Sequence, residues 1–529
     1  MKGAYKVLAI VVILLSASVS AAFIADSSNK SSEKTVYNEG MDVLGLEKDG
    51  VVTYKGIPYA EAPVGDLRFA PPVKKEQWTD TLDCTQWGNI AFQQSFTSTG
   101  SAEHGDNENE DCLNLNIWAP ADAKAGDKLP VYVWIHGGAY ISGSGQDLTY
   151  DGTNFAKEGV IVVTINYRLG VLGFLSLGSL KDDNSLGTTG NWGTLDQIMA
   201  LQWVQDNIGK FGGDKDNVTI GGQSAGSFSV LNMIVSPLAE GLFQKAILES
   251  GAIMHIFEAS KSYDDDVAVS QKIAEKLGAD DSEEGIKKLR SLTASEITDA
   301  AIFTRYMTDD HSYSVWPAGD DVVIPEDFIS AVENGEYNTD IEIIIGYNYT
   351  EGIFFTKDGV TEDEFNYLID CSFSEIDAVK VKEYYEKTEL TLQQKDSELT
   401  GMLMIKLGVE RMQKLFGANE DTTVYAYQFM HSLEFTVPPV HGLEVEFAFG
   451  QDTLLGSPFE GNDKIIRDIM HGYWLNFIKS GDPNGDGLAV WEQYSPTEDS
   501  LMTFKVNTSE MSDRADKSEV DTLNQWYLP

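Results

Sequence analysis

Between residues 128 and 226 the chain alternates unbroken apolar runs with segments of helical periodicity, and few architectures accept that pattern. Residues 131–135 form a short apolar run, 160–165 a second and 218–220 a third. Residues 195–208 repeat apolar side chains at helical spacing. Residues 225–235 read as another helix, ended near Pro237, and 243–248 restart a strand. A strand that is apolar at every position must be covered on both faces, and the intervening helices are what cover it. The pattern predicts an α/β fold with a large, mostly parallel central sheet flanked by helices. Residues 341–345 and 423–429 read as later strands, whereas 258–331 and 361–415 read as mostly helical insertions.

The chain has 529 residues, 42% of them hydrophobic, which supplies a large core and excludes global disorder. One large sheet with helical insertions accounts for it better than several independent domains, so residues 36–529 are read as a single domain. Lys and Arg number 38 against 83 Asp and Glu, a net charge of −45. Such a surface repels phosphate backbones and anionic membranes, which excludes nucleic acid as a partner. At the N-terminus Lys2 and Lys6 precede an apolar stretch over 7–15 and small residues around Ala21 and Ala22. That is the layout of a signal peptide over 1–22, followed by a flexible leader over 23–35. The apolar stretch is too short for a membrane span, so a secreted or periplasmic product with no stable membrane insertion is expected.

Export permits a disulfide among the three cysteines, and Cys84 and Cys112 are near enough in sequence to close a loop. Cys371 falls in a helix-like stretch and reads as a buried thiol. No Cys/His spacing suits zinc. Sequons begin at Asn29, Asn217, Asn348 and Asn507; the second abuts a core strand and the third the loop that carries Glu351, so both read as unmodified.

The segment Gly222-Gln223-Ser224-Ala225-Gly226 follows a strand and opens a helix. A sharp turn there needs the two glycines and exposes the Ser224 hydroxyl near a helix N-terminus, the setting of a nucleophile elbow. The competing reading is a serine that merely caps the helix. A serine hydroxyl also needs a base. Five histidines follow, His255, His311, His431, His441 and His471, and His441 lies in a loop after a strand, where a base can stand over the end of a sheet. Glu351, after the 341–345 strand, is the acid candidate, with Glu444 and Glu446 as rivals. His136-Gly137-Gly138-Ala139-Tyr140 follows the 131–135 strand, and its small residues let backbone amides approach a ligand. The N–H groups of Gly138, Ala139 and Ala225 would surround a developing oxyanion.

Further blocks extend from about Val52 to Tyr494: Lys55-Gly56-Ile57-Pro58-Tyr59-Ala60, Glu110-Asp111-Cys112-Leu113-Asn114, Asn166-Tyr167-Arg168-Leu169-Gly170, Phe211-Gly212-Gly213-Asp214, and Asp482-Pro483-Asn484. Together with the motifs above they resemble the type-B carboxylesterase/cholinesterase family. The resemblance implies the α/β-hydrolase fold, a Ser224–Glu351–His441 triad, an oxyanion hole of Gly138, Ala139 and Ala225, and a Cys84–Cys112 bridge. It also implies supporting roles for Ser250 and Glu444 behind the histidine, a small-molecule carboxylic ester as substrate, and no metal or organic cofactor. The chain departs from the family in having Gln223 where Glu is usual, a neutral change expected to be tolerated. Ala102 occupies the place of the tryptophan with which cholinesterases hold choline, so a bacterial-type carboxylesterase is expected rather than a cholinesterase. A lipase-like hydrolase of longer acyl esters and a catalytically silent binding member of the same fold are the alternatives. No readable motif fixes the natural ester or the oligomeric state.

Overall fold

Strand β6 shows how the sequence builds the sheet. In the computed structural model, which describes residues 34–76, 78–94, 107–252, 263–301, 315–433, 437–454, 457–505 and 508–526, β6 runs over Leu129–Ile135. Val131, Val133 and Ile135 enter one core cluster, whereas Tyr132 and Trp134 enter another on the opposite face. Strand neighbours point to opposite faces, so a run apolar at every position feeds two cores at once.

Among the described residues, thirteen strands make the main sheet. In chain order they begin with β1 (Lys34–Asn38), β2 (Val43–Lys48), β3 (Val51–Pro58), β4 (Leu82–Asp83), β5 (Asn114–Pro120) and β6. There follow β7 (Ile161–Ile165), β8 (Gly213–Gln223), β9 (Lys245–Glu249), β10 (Ile341–Asn348) and β11 (Thr422–Phe429). A separate short pair, β12 (Thr453–Leu454) and β13 (Ser457–Pro458), precedes β14 (Ser500–Lys505) and β15 (Thr508–Asp513). The spatial order is β1-β2-β3-β5-β7-β6-β8-β9-β10-β11-β14-β15, with β4 beside β2. Every pairing from β7 to β14 is parallel, and antiparallel strands flank this block on both edges. The architecture is the α/β-hydrolase fold.

Register sets the position of the site. Ile135 pairs with Gly222, Gly222 with Leu248, and Leu248 with Ile345. The carboxyl ends of β6, β8, β9 and β10 therefore finish side by side, the edge where open parallel sheets bind ligands.

Helices Trp192–Asn207 and Ala225–Val235 are close to the sequence expectation. The helical middle is confirmed over Tyr263–Lys276, Glu283–Ser291, Glu362–Ser372 and Glu375–Glu386, although 253–262 and 302–314 lie outside the described residues. The sequence gives no hint of the π-turn Met402–Lys406 between helices Leu392–Gly401 and Leu407–Gly417. Among the described residues no helix is long and apolar enough to cross a membrane.

Two expectations about cysteine are corrected. Cys84 and Cys112 are unbridged, buried thiols. Burial pushes the Cys84 thiol up to about 12 and that of Cys112 higher still, so both are inert thiols in the folded protein. Cys371 is exposed rather than buried. Its helix buries Phe365, Leu368 and Ile369, and residue 371 falls outside that face.

Candidate active site

Ser224 stands between the end of β8 and helix Ala225–Val235 with φ 57° and ψ −128°. A helix-capping residue takes extended dihedrals and bonds a helix N–H through its side chain. Ser224 does neither, so the hydroxyl is not spent on the helix. Its backbone N–H donates to the Glu249 carbonyl at 3.0 Å, fastening the turn to the end of β9. Such strained dihedrals persist only where surrounding structure over-determines them. The packing does so here, because a Cβ on Gly226 would run into the Ile135 carbonyl oxygen.

The strip after β6 lies against this turn. A Cβ on Gly137 would stand 2.5 Å from the Gln223 carbonyl oxygen and 3.2 Å from Ser224 Cβ. Gly138, Ala139 and Tyr140 all have positive φ, at 107°, 52° and 58°. The Gly138 carbonyl accepts from the N–H groups of Ile141 and Ser142, both at 3.0 Å. The N–H groups of Gly138 and Ala139 donate to no described residue. Ala225 is the first residue of its helix, where the N–H has no intrahelical acceptor. Next to the strip His136 is buried and stacked on Tyr167 at 4.5 Å, and burial holds its imidazole down to about 4, hence neutral.

His441 is buried in the loop before helix Glu444–Ala448, and its Nδ1 meets Glu351 Oε2 at 2.5 Å. Glu351 is fully buried and opens the 3₁₀ turn Glu351–Phe355 beyond β10. Its other oxygen accepts the Asn348 N–H at 2.6 Å. The Phe355 and Phe354 rings lie 4.9 Å and 5.7 Å from the imidazole. Of the other histidines, His431 is turned to Asp463 at 2.7 Å and His471 to the Ala448 carbonyl at 2.8 Å. His255 and His311 lie outside the described residues, as does Ala102.

Glu444, one rival for the acid, is engaged elsewhere: Ser250 Oγ donates to it at 2.5 Å and the Asn348 carboxamide donates to its second oxygen. Glu446, the other, is buried with one oxygen unpartnered among the described residues. Burial pushes Glu446 up to about 8; burial and the nearby Glu351 push Glu444 up to about 7.

Two residues in the site take roles that the sequence reading did not assign them. Asn348 ties three parts together, since its carboxamide also donates to the Val440 carbonyl at 2.7 Å, one residue before the histidine. The sequence offered it only as a sequon. Gln223 touches the His441 ring, at 3.1 Å from Nε2. Among the described residues no group of His, Cys, Asp and Glu could hold a metal ion.

A model of the carboxylesterase family matches residues 35–523. The chain belongs to the carboxylesterase family. Among curated relatives, the para-nitrobenzyl esterase of Bacillus subtilis is 33% identical over 496 residues, 90% of this chain and 96% of that protein. Carboxylesterase 1E of Mus musculus is also 33% identical, over 526 residues, 90% of this chain and 91% of that protein. A solved para-nitrobenzyl (PNB) esterase structure superposes with a TM-score of 0.78 at 30% identity, covering 92% of this chain and 99% of that one. This carboxylesterase is a carboxylic ester hydrolase of the bacterial type.

Proposed function

We propose that the enzyme hydrolyses small carboxylic esters through a Ser224–His441–Glu351 triad and an acyl-enzyme intermediate. The observation that carries this reading is the buried Glu351 carboxylate on Nδ1 of His441, whose ring touches the residue immediately before Ser224. A carboxylate on Nδ1 fixes the tautomer that leaves Nε2 able to accept a proton. His441 Nε2 takes the Ser224 proton as Oγ attacks the ester carbonyl. Negative charge moves to the carbonyl oxygen, where the N–H groups of Gly138, Ala139 and Ala225 receive it. One such donor is worth about 3 kcal/mol in the transition state. The alcohol leaves with the proton from His441. Water then gives a proton to Nε2, attacks the acyl carbon, and releases the acid with Ser224 restored.

Ser224→Ala is expected to lower turnover of a p-nitrophenyl ester by about four to six orders of magnitude. A fluorophosphonate should form an adduct on Ser224; near-normal turnover by the variant, or no adduct in the wild type, rejects the assignment. The same reading has the enzyme exported by residues 1–22, leaving 36–529 as one catalytic domain. Mass spectrometry of protein recovered outside the cytoplasm tests this through a mature N-terminus near residue 22.

A further inference from the structure

The proton-accepting histidine has a second contact that the triad does not use. The Gln223 carboxamide nitrogen stands 3.1 Å from Nε2 of His441 and 3.5 Å from Nδ1. The two ring nitrogens point away from each other with Cε1 between them, so an atom that near to both cannot lie in the ring plane. It lies over the ring face. A second measurement agrees: a Cβ on Gly442 would find the nitrogen, carbon and oxygen of the same carboxamide at 3.6, 3.8 and 3.8 Å, a plate seen nearly flat-on. Gln223 is only 8% exposed, so the plate is wedged between imidazole and backbone. With Nδ1 bound to Glu351, the Nε2 lone pair stays in the ring plane, free for a hydroxyl.

We infer that Gln223 is a positioning residue that clamps the face of His441, and that its neutrality keeps the enzyme active in more acidic medium than a carboxylate at the same position would allow. The inference rests on His441 being the base. A carboxylate in place of this amide would stand about 3 Å from the imidazole and favour its protonated form, which cannot accept the serine proton. The ring already faces Glu351 at Nδ1, and Glu444 stands behind it between Ser250 and Asn348. Glu446, in the same first turn as Glu444, and Glu249, buried at the end of β9, neighbour Glu444 rather than the ring. Phe354 and Phe355 add no charge. A neutral residue on the ring face therefore avoids adding a third carboxyl beside Glu351 and Glu444.

The test compares pH profiles of kcat/KM for wild type, Gln223→Glu, Gln223→Met and Gln223→Ala on one p-nitrophenyl ester, all keeping Glu444. Thermal melts establish that each variant is folded. Gln223→Glu should move the acid limb up by about one pH unit. Gln223→Met should leave the limb in place, and Gln223→Ala should lower kcat about ten- to a hundredfold with KM little changed, because a loosened base misplaces its nitrogen. An unmoved limb in Gln223→Glu, or wild-type kcat in Gln223→Ala, overturns the inference. His441→Ala separates the two failures. If it is inactive while the limb stays put, only the Gln223 role falls; if it stays active, the triad reading falls as well.

Discussion

Glu446 offers a stability prediction whose sign and size come from its surroundings. It sits in the first turn of helix Glu444–Ala448, buried, with Asp147 and Glu444 as like charges nearby. Burial, the largest cause, raises it from an ordinary 4.5 to about 8. Between those values the folded protein keeps a proton that the unfolded chain has released. Stability therefore falls as pH rises through the window, at up to about 1.4 kcal/mol per pH unit. From 4.5 to about 8 the whole effect has a ceiling of about 5 kcal/mol, which water entry and relaxation reduce. Glu446→Gln keeps the shape and removes the titration. Urea unfolding followed by tryptophan fluorescence from about pH 5 to about pH 9 should show the variant gaining on wild type as pH rises, by about 2 to 4 kcal/mol at the alkaline end. Glu444 is present in both proteins and cancels to first order. A difference that is flat across this range refutes the reasoning.

Gly226→Ala should abolish soluble, fluorophosphonate-reactive protein, because the new methyl meets the Ile135 carbonyl in a backbone that has no room to retreat. Arg168 grips Asp196 with two bonds of 2.7 Å in the interior, so Arg168→Ala strands a buried carboxylate and should cost about 3 to 5 kcal/mol in urea unfolding. Thiol titration with Ellman's reagent should count one reactive cysteine in the native protein, Cys371, and three after unfolding without reductant. A count of one after unfolding would restore the Cys84–Cys112 bridge.

The parts of the fold that were legible are those where one physical demand dominates. The inner stretches of strands β6 to β9, such as 131–135, 161–163 and 246–248, are apolar and buried because both faces of the sheet are covered, and helix Ala225–Val235 is punctuated by glycine before it and Pro237 after it. The antiparallel edge was not recognised: β1 and β2 are short and partly exposed, so their composition does not separate them from loops. The π-turn Met402–Lys406 depends on tertiary packing, with Gly401 pressed against Gly352 and Lys406 drawn to Asp516 at 2.6 Å. In the site, motif residues declared themselves through spacing, and the structure brings His441 to Glu351 and the glycine strip to Ser224. The contacts of Asn348 and Gln223 did not, since a carboxamide acts through where its plate is held, and that is set by segments far apart in sequence. Cys371 lies two positions past Ile369, off the face that buries Phe365, Leu368 and Ile369, so membership of a helix does not bury it.

The buried carboxamide of Asn348 bears on the choice of production host. Asn348-Tyr349-Thr350 is an acceptor sequence, yet its amide is fully enclosed and bonded to Val440 and Glu444. A glycosyltransferase meeting the growing polypeptide would find that amide open and attach a sugar chain that the finished interior has no room for. Eukaryotic secretory expression should therefore divide the product into native molecules left bare at Asn348 and molecules carrying a glycan there, trapped before closure, whereas a host without that machinery yields a single species at this position.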